Sequence, residues 1–182
     1  MTVTVAGESE APTAAAVSAS ASEHSPAIIV TPVVDDDGVG DTRTFSLGTA
    51  GTKGSVSLNP NGTFTYDPDG AFDGLKLGAT ATDTFTYTVT DAAGLSATAT
   101  VTVTIAGENE APTAAAVSAN ASEHGPAIIV TPVVDDDDVG DTRTFSLGTA
   151  GTKGSVSLNP NGTLSYDPDG ALEGLNHGGT AT

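Results

Sequence analysis

The feature that most constrains this chain is its near-duplication. Residues 1–82 align with residues 101–182 without a gap, and 13 positions differ, leaving 69 identical. A period of 100 exceeds the roughly 20–50 residues of a solenoid repeat and fits a whole small domain repeated in tandem. The 182 residues hold about 1.8 copies of that period, so the chain reads as an excerpt from a longer array.

Within one period the pattern is alternation. From Leu95 onward the odd positions are apolar (Leu95, Ala97, Ala99, Val101, Val103, Ile105), and the even ones are Ser96 and then threonines to Thr104. Phe85, Tyr87 and Val89 alternate with Thr84, Thr86 and Thr88 in the run before it. Successive side chains of a strand point to opposite faces, so period two with β-branched outer residues predicts half-buried strands. Shorter runs obey the same rule: Phe45/Leu47, Val56/Leu58 and Phe64/Tyr66. The run 27–34 is more continuously apolar and is interrupted by Pro32, which predicts an edge strand or a bulge. Asn61-Gly62 is a hairpin signal, and Asp67-Pro68-Asp69-Gly70 and Asp91-Ala92-Ala93-Gly94 are further turns. No segment sustains a 3.6-residue period. About seven strands per repeat predict an all-β fold, a tandem immunoglobulin/cadherin-like antiparallel Greek-key β-sandwich.

Domain limits follow from the turn-rich stretches. Residues 1–10 read as the terminal strand and linker of a preceding repeat, 11–106 as a complete repeat and 107–112 as a linker. Residues 113–182 read as a second repeat that lacks its last two strands and is weakly folded by itself.

Several functions are argued against by composition. There are 23 Asp+Glu against 5 Lys+Arg, a formal charge of −18, which repels nucleic-acid phosphates. No cysteine is present, so neither a disulfide scaffold nor a Cys-ligated zinc site is available. No run approaches the roughly 20 apolar residues of a membrane helix, and MTVTVAGESE does not read as a signal peptide. Catalysis finds little support, and the expectation is that the chain is not an enzyme. Two of the three histidines, His24 and His124, are copies of one position, and Gly51-Thr52-Lys53-Gly54-Ser55 has the wrong order for a P-loop. Asn61-Gly62-Thr63 matches a glycosylation sequon but is explained by the hairpin turn.

The acids gather in clusters rather than spreading as in a disordered tail. Glu23 lies in Ser22-Glu23-His24-Ser25-Pro26. Asp35, Asp37 and Asp41 surround a Gly-containing loop, and Asp91 lies in a turn. Glu108, Asn109 and Glu110 occupy the linker. Strand ends of a sandwich meet at its two poles, where close like charges repel by about 1 kcal/mol in water and several times that near a protein surface. A hard divalent cation reverses that sign, and Ca²⁺ takes 6–8 oxygens from carboxylates, amides and carbonyls.

The run 83–112, DTFTYTVTDAAGLSATATVTVTIAGENEAP, resembles the signature of the VCBS repeat, a cadherin-like domain of bacterial RTX-type adhesins. Glu23 with Ser25-Pro26 is similar to the cadherin Glu-Asn-Ala-Pro ligand, Asp35-x-Asp37 to its Asp-x-Asp, and Asp91-Ala92-Ala93-Gly94 to its Asp-x-Gly turn. Glu108-Asn109-Glu110-Ala111-Pro112 resembles Asn-Asp-Asn-x-Pro, with Glu where cadherins favour Asp. The resemblance implies Ca²⁺ at the joints between repeats. One joint would use Glu23, Glu108, Asn109, Glu110, Asp135 and Asp137, and another would use Asp35, Asp37 and Asp91. Asp73 and Asp83 are looser candidates.

The resemblance further implies a calcium-binding structural module of a secreted or surface adhesin, with neighbouring repeats as partners and ions stiffening the joints. Export by a type I route to the extracellular space or bacterial surface belongs to the same expectation. The alternative is a calcium-dependent lectin-like module that binds acidic exopolysaccharide, as in the similar cadherin-like adhering proteins of rhizobia.

Overall fold

The computed structural model describes residues 1–4, 9–36, 42–168, 170, 172–175 and 179–181. Asp37 and Asp41 therefore lie outside the described residues. The described residues contain strands and no α-helix, and no helix is long and apolar enough to cross a membrane. Two compact units divide the chain, Met1–Asn109 and Glu110–Thr182.

Among its described residues the first unit contains nine strands: β1 (Thr13–Ala15), β2 (Val17–Ser22), β3 (Ile28–Val30), β4 (Val33–Asp35), β5 (Thr44–Gly48), β6 (Ser55–Leu58), β7 (Phe64–Asp67), β8 (Thr80–Thr90) and β9 (Ser96–Ala106). They form a four-stranded sheet β2-β9-β8-β5, a three-stranded sheet β3-β7-β6 and a two-stranded sheet β1-β4. This exceeds the expected seven strands for two reasons. The Ala/Ser stretch 13–22 is extended despite its weak β propensity, because it lies against β4 and β9. The run 27–34 divides at Thr31-Pro32, with β3 joining one sheet and β4 another. One pair also departs from the antiparallel expectation: β2 runs parallel to β9, Val17 opposite Val101 through Ser22 opposite Ala106.

The alternation of β8 and β9 sends Phe85, Tyr87, Val89, Val101, Val103 and Ile105 inward, each at most 2% exposed. All of these except Val89 pack in one cluster with Val30, Phe64, Tyr66 and Phe72, so the core lies between the larger sheets. On the opposite face Thr82, Thr84, Thr86 and Thr88 stand across from Thr104, Thr102, Thr100 and Thr98. In the β6–β7 hairpin, Gly62 adopts a φ of 82° and the Asn61 side chain accepts the Thr63 N–H. Positive φ therefore falls on the glycine, where it costs nothing sterically.

Tyr87 joins this core to the small sheet. Its hydroxyl donates to the Ala15 and Val33 carbonyls at 2.7 and 2.9 Å, a shared bond that reaches both β1 and β4. Tyr87→Phe keeps the ring and strands those acceptors, so a loss of about 1–2 kcal/mol is expected. Urea unfolding measures it as a lower midpoint at unchanged slope.

The second unit contains β10 (Thr113–Ala115), β11 (Ile128–Val130), β12 (Val133–Asp135), β13 (Ser155–Leu158) and β14 (Leu164–Asp167). β10 pairs with β12, and β11-β14-β13 form a sheet whose registers repeat the first unit at an offset of 100. Residues 117–122 and 144–148, the counterparts of β2 and β5, are not strands, and Val117, Phe145 and Leu147 are exposed. In the first unit β2 and β5 take their ladder partners from β9 and β8.

Candidate metal centres

In the first unit β1 and β4 carry an acidic pole. Asp35 ends β4 opposite Thr13, and its own carboxylate accepts the Asp36 N–H at 3.0 Å. The Asp36 side chain is nearly buried and faces the Arg43 Nε at 3.5 Å. Glu10, Ala11, Thr13, Asp35 and Asp36 line a pit of about 90 Å³. Asp91 is also buried, but its carboxylate is engaged: it accepts the Leu95 N–H at 2.7 Å across the β8–β9 turn and the Ser9 hydroxyl at 3.1 Å.

The second unit repeats the arrangement. Ala111, Thr113, Asp135, Asp136 and Asp137 line a pit of about 60 Å³, and the Arg143 Nε stands 3.5 Å from Asp136. Asp135 and Asp137 are exposed. Between and beyond them, the Asp136 side chain is 5% exposed and Asp138 only 1%. The Asp138 N–H donates to Asp136 Oδ1 at 3.3 Å, and Asp138 Oδ2 accepts the Glu110 N–H at 3.0 Å. Asp138 Oδ1 is buried without a hydrogen-bond partner. A charged oxygen left that way costs several kcal/mol unless a cation meets it. The donors here are all hard oxygens, the set that Ca²⁺ prefers to softer metals. The residues present therefore fit a divalent hard cation.

Glu23 occupies a different place in the first unit. It follows β2, and the parallel register that sets Ser22 beside Ala106 carries it to the base of the linker. At 2% exposure its carboxylate accepts the Glu108 N–H at 2.7 Å and the Leu75 N–H at 3.2 Å. Glu108 and Asn109 are themselves exposed. In the second unit, half-buried Glu123 accepts the Leu175 N–H at 3.3 Å.

Of the residues expected as ligands, the structure brings together Glu23 with Glu108, and Glu110 with the Asp135–Asp138 loop by way of Asp138. The sequence reading passed over Glu10, Asp36, Asp136 and Asp138. One signal for Asp138 was present, since it is among the 13 positions that differ between copies, with Gly38 in the first. The two looser candidates have other partners. Asp73 lies 3.7 Å from His24. Asp83 is 3% exposed and accepts the N–H groups of Lys53, Gly54 and Thr84 and the Tyr66 hydroxyl, all within 3.1 Å. Burial pushes the Asp83 carboxyl upward, but the donations from Gly54, Lys53, Tyr66 and Thr84 outweigh it and hold it below its ordinary value. Burial and the neighbouring Asp83 charge push the Tyr66 hydroxyl up. Asp83 is thus an internal acceptor already saturated with donors.

Comparison with known proteins agrees with this architecture. Residues 9–107 match the bacterial cadherin-like domain, and residues 109–180 match a bacterial Ig domain. The fold is similar to Drosophila N-cadherin EC1–4, with a TM-score of 0.53 at 15% identity over 92% of this chain and 43% of that one. It is also similar to PcdhgB3 EC1–4, with a TM-score of 0.50 at 16% identity over 90% of this chain and 42% of that one. The chain spans less than half the length of either. No curated protein matches it in sequence.

Proposed function

The chain belongs to the bacterial cadherin-like domain family, and from that premise we propose that it is a calcium-binding structural module of a secreted or surface adhesin of the VCBS, RTX-exported kind. The observation that carries this reading is the buried, unpartnered Asp138 Oδ1 at a pole rich in carboxylates. The proposed ligands are Glu23, Asp35, Asp37, Asp91, Glu108, Asn109, Glu110, Asp135 and Asp137, joined by Glu10, Asp36, Asp136 and Asp138.

Bound Ca²⁺ supplies charge neutralisation and coordinate bonds to several oxygens at once. The chain's own residues provide the mechanical consequence. Glu23 holds the linker backbone at Glu108 to the first unit, and Asp138 holds it at Glu110 to the second. Without a cation these carboxylates sit among like charges, and the hydrogen bonds that anchor the linker are opposed by repulsion. With a cation that repulsion is removed and the linker stiffens, so that an array of repeats keeps its reach.

Calcium titration of the 182-residue chain, read by calorimetry and thermal unfolding, tests the reading. Extracellular calcium modules have a Kd of roughly 10⁻⁴–10⁻³ M. At 100 times Kd the folded state gains about 2.7 kcal/mol, which raises the melting temperature of a domain this size by about 10–20 °C. Chelator should reverse the shift, and a melting curve indifferent to both additions would remove the reading.

A second reading, a calcium-dependent lectin-like module for acidic polysaccharide, is favoured by the uncharged Thr face of β8 and β9. It has hydroxyl donors and none of the carboxylates that would repel an anionic glycan. Retention on immobilised polysaccharide that chelator abolishes supports it, and absence of retention leaves the structural module.

A further inference from the structure

We propose that Arg43 and Arg143 are resident counter-cations of the two acidic poles, and that a divalent ion binds by displacing them, which holds the affinity of each pole low. The inference rests on the calcium reading above and names what regulates that site.

The chain has only five Lys and Arg residues, and two of them occupy this one repeat position. In both units the arginine Nε lies 3.5 Å from Oδ2 of a nearly buried aspartate, Asp36 at 2% and Asp136 at 5% side-chain exposure. The arginines themselves remain about one-third exposed, at 31% and 36%. A committed guanidinium–carboxylate pair closes to about 2.7–2.9 Å and often engages both oxygens. Here the contact is long, and in the second unit Asp136 Oδ1 is instead taken by the Asp138 N–H. The arginine therefore neutralises a buried charge without locking onto it, and its exposure leaves it a path into solvent.

The pole also holds more anionic oxygen than the arginine satisfies. Asp138 Oδ1 is buried and unpartnered, on a residue whose N–H donates to Asp136, and Asp136 lines a pit with Asp135 and Asp137. A compact divalent ion is drawn to that surplus, but a guanidinium charge a few ångströms away opposes it. Moving the arginine aside removes the opposition at the cost of the Asp136 contact. This exchange lets the pole stay folded when calcium is scarce and respond when it is plentiful.

Calcium affinity of the full chain, measured by calorimetry in chelator-treated buffer, tests this. Arg143→Gln is expected to tighten binding by about tenfold, from the loss of one like charge near a doubly charged ion, while lowering the calcium-free melting temperature. Arg143→Lys retains the charge and should stay within about threefold of the parent. Arg43→Gln repeats the experiment at the first pole and carries the test should Arg143→Gln fail to fold. Equal or weaker calcium binding in the glutamine variants, with the parent binding normally, would overturn the displacement and leave the calcium reading intact. A parent chain that binds no calcium at millimolar concentration overturns both.

Discussion

Asp83→Ala is expected to destabilise the first unit by about 3–5 kcal/mol, the range for breaking a buried charged network by removing one partner. The carboxylate receives three backbone N–H groups and the Tyr66 hydroxyl. Its removal leaves those donors buried without an acceptor, and each stranded polar group costs about 1–3 kcal/mol. Gly54 sharpens the effect, because a Cβ there would meet the Asp67 carbonyl and the Tyr66 ring, so the loop has no room to reorganise. Asp83→Asn retains an acceptor oxygen but presents an amide to donors, and should lose about half as much.

The same network makes stability acid-sensitive in a definite direction. The folded-state pKa of Asp83 lies below its ordinary value of 3.8. Its contribution is therefore complete above that ordinary value and is lost as pH falls through the lower folded value. Urea unfolding followed by tyrosine fluorescence at pH 7 and below pH 4 measures both effects. An Asp83→Ala chain as stable as the parent at pH 7 would contradict the account.

Phe64→Ala should cost about 3–5 kcal/mol, whereas Phe64→Leu should cost about 1 kcal/mol. Phe64 is fully buried, and its ring lies 5.6 Å from that of Phe85, 5.7 Å from Tyr87 and 6.4 Å from Phe45. Truncation to alanine opens a cavity between two sheets that cannot close on it. Leucine keeps most of the volume and loses mainly the ring contacts, worth about 0.5–1.5 kcal/mol. The second copy already carries Leu164 here, half-buried. Scanning calorimetry distinguishes the two variants, and equal losses would mean that ring geometry rather than volume governs the site.

Much of the fold was legible because strand alternation is a local property of the backbone. The apolar odd positions of 95–105 and 85–89 needed no tertiary knowledge to be assigned to one face. The Ala/Ser stretch 13–22 was less legible, since small residues carry little β propensity and become strands by pairing with β4 and β9. The parallel β2–β9 pair was invisible for the same reason.

The acidic sites divide along the same line. That carboxylates cluster at turns and in the linker is written in the chain, and it sufficed to point to a hard cation. Which of them are buried is not. Asp83, Asp91, Asp135 and Asp138 are one residue type, yet one is saturated by donors from a distant loop, one closes a turn, one is exposed and one retains an unpartnered oxygen.

By itself the sequence determined the β class, the tandem repeat and the acidic character of the poles, because periodicity, duplication and charge are properties of neighbours along the chain. The tertiary structure alone decided that Glu23 grips the linker 85 residues away and that Asp83 is an internal acceptor. Burial and hydrogen-bond supply are set by segments remote in sequence, and no local pattern encodes which of those segments will arrive.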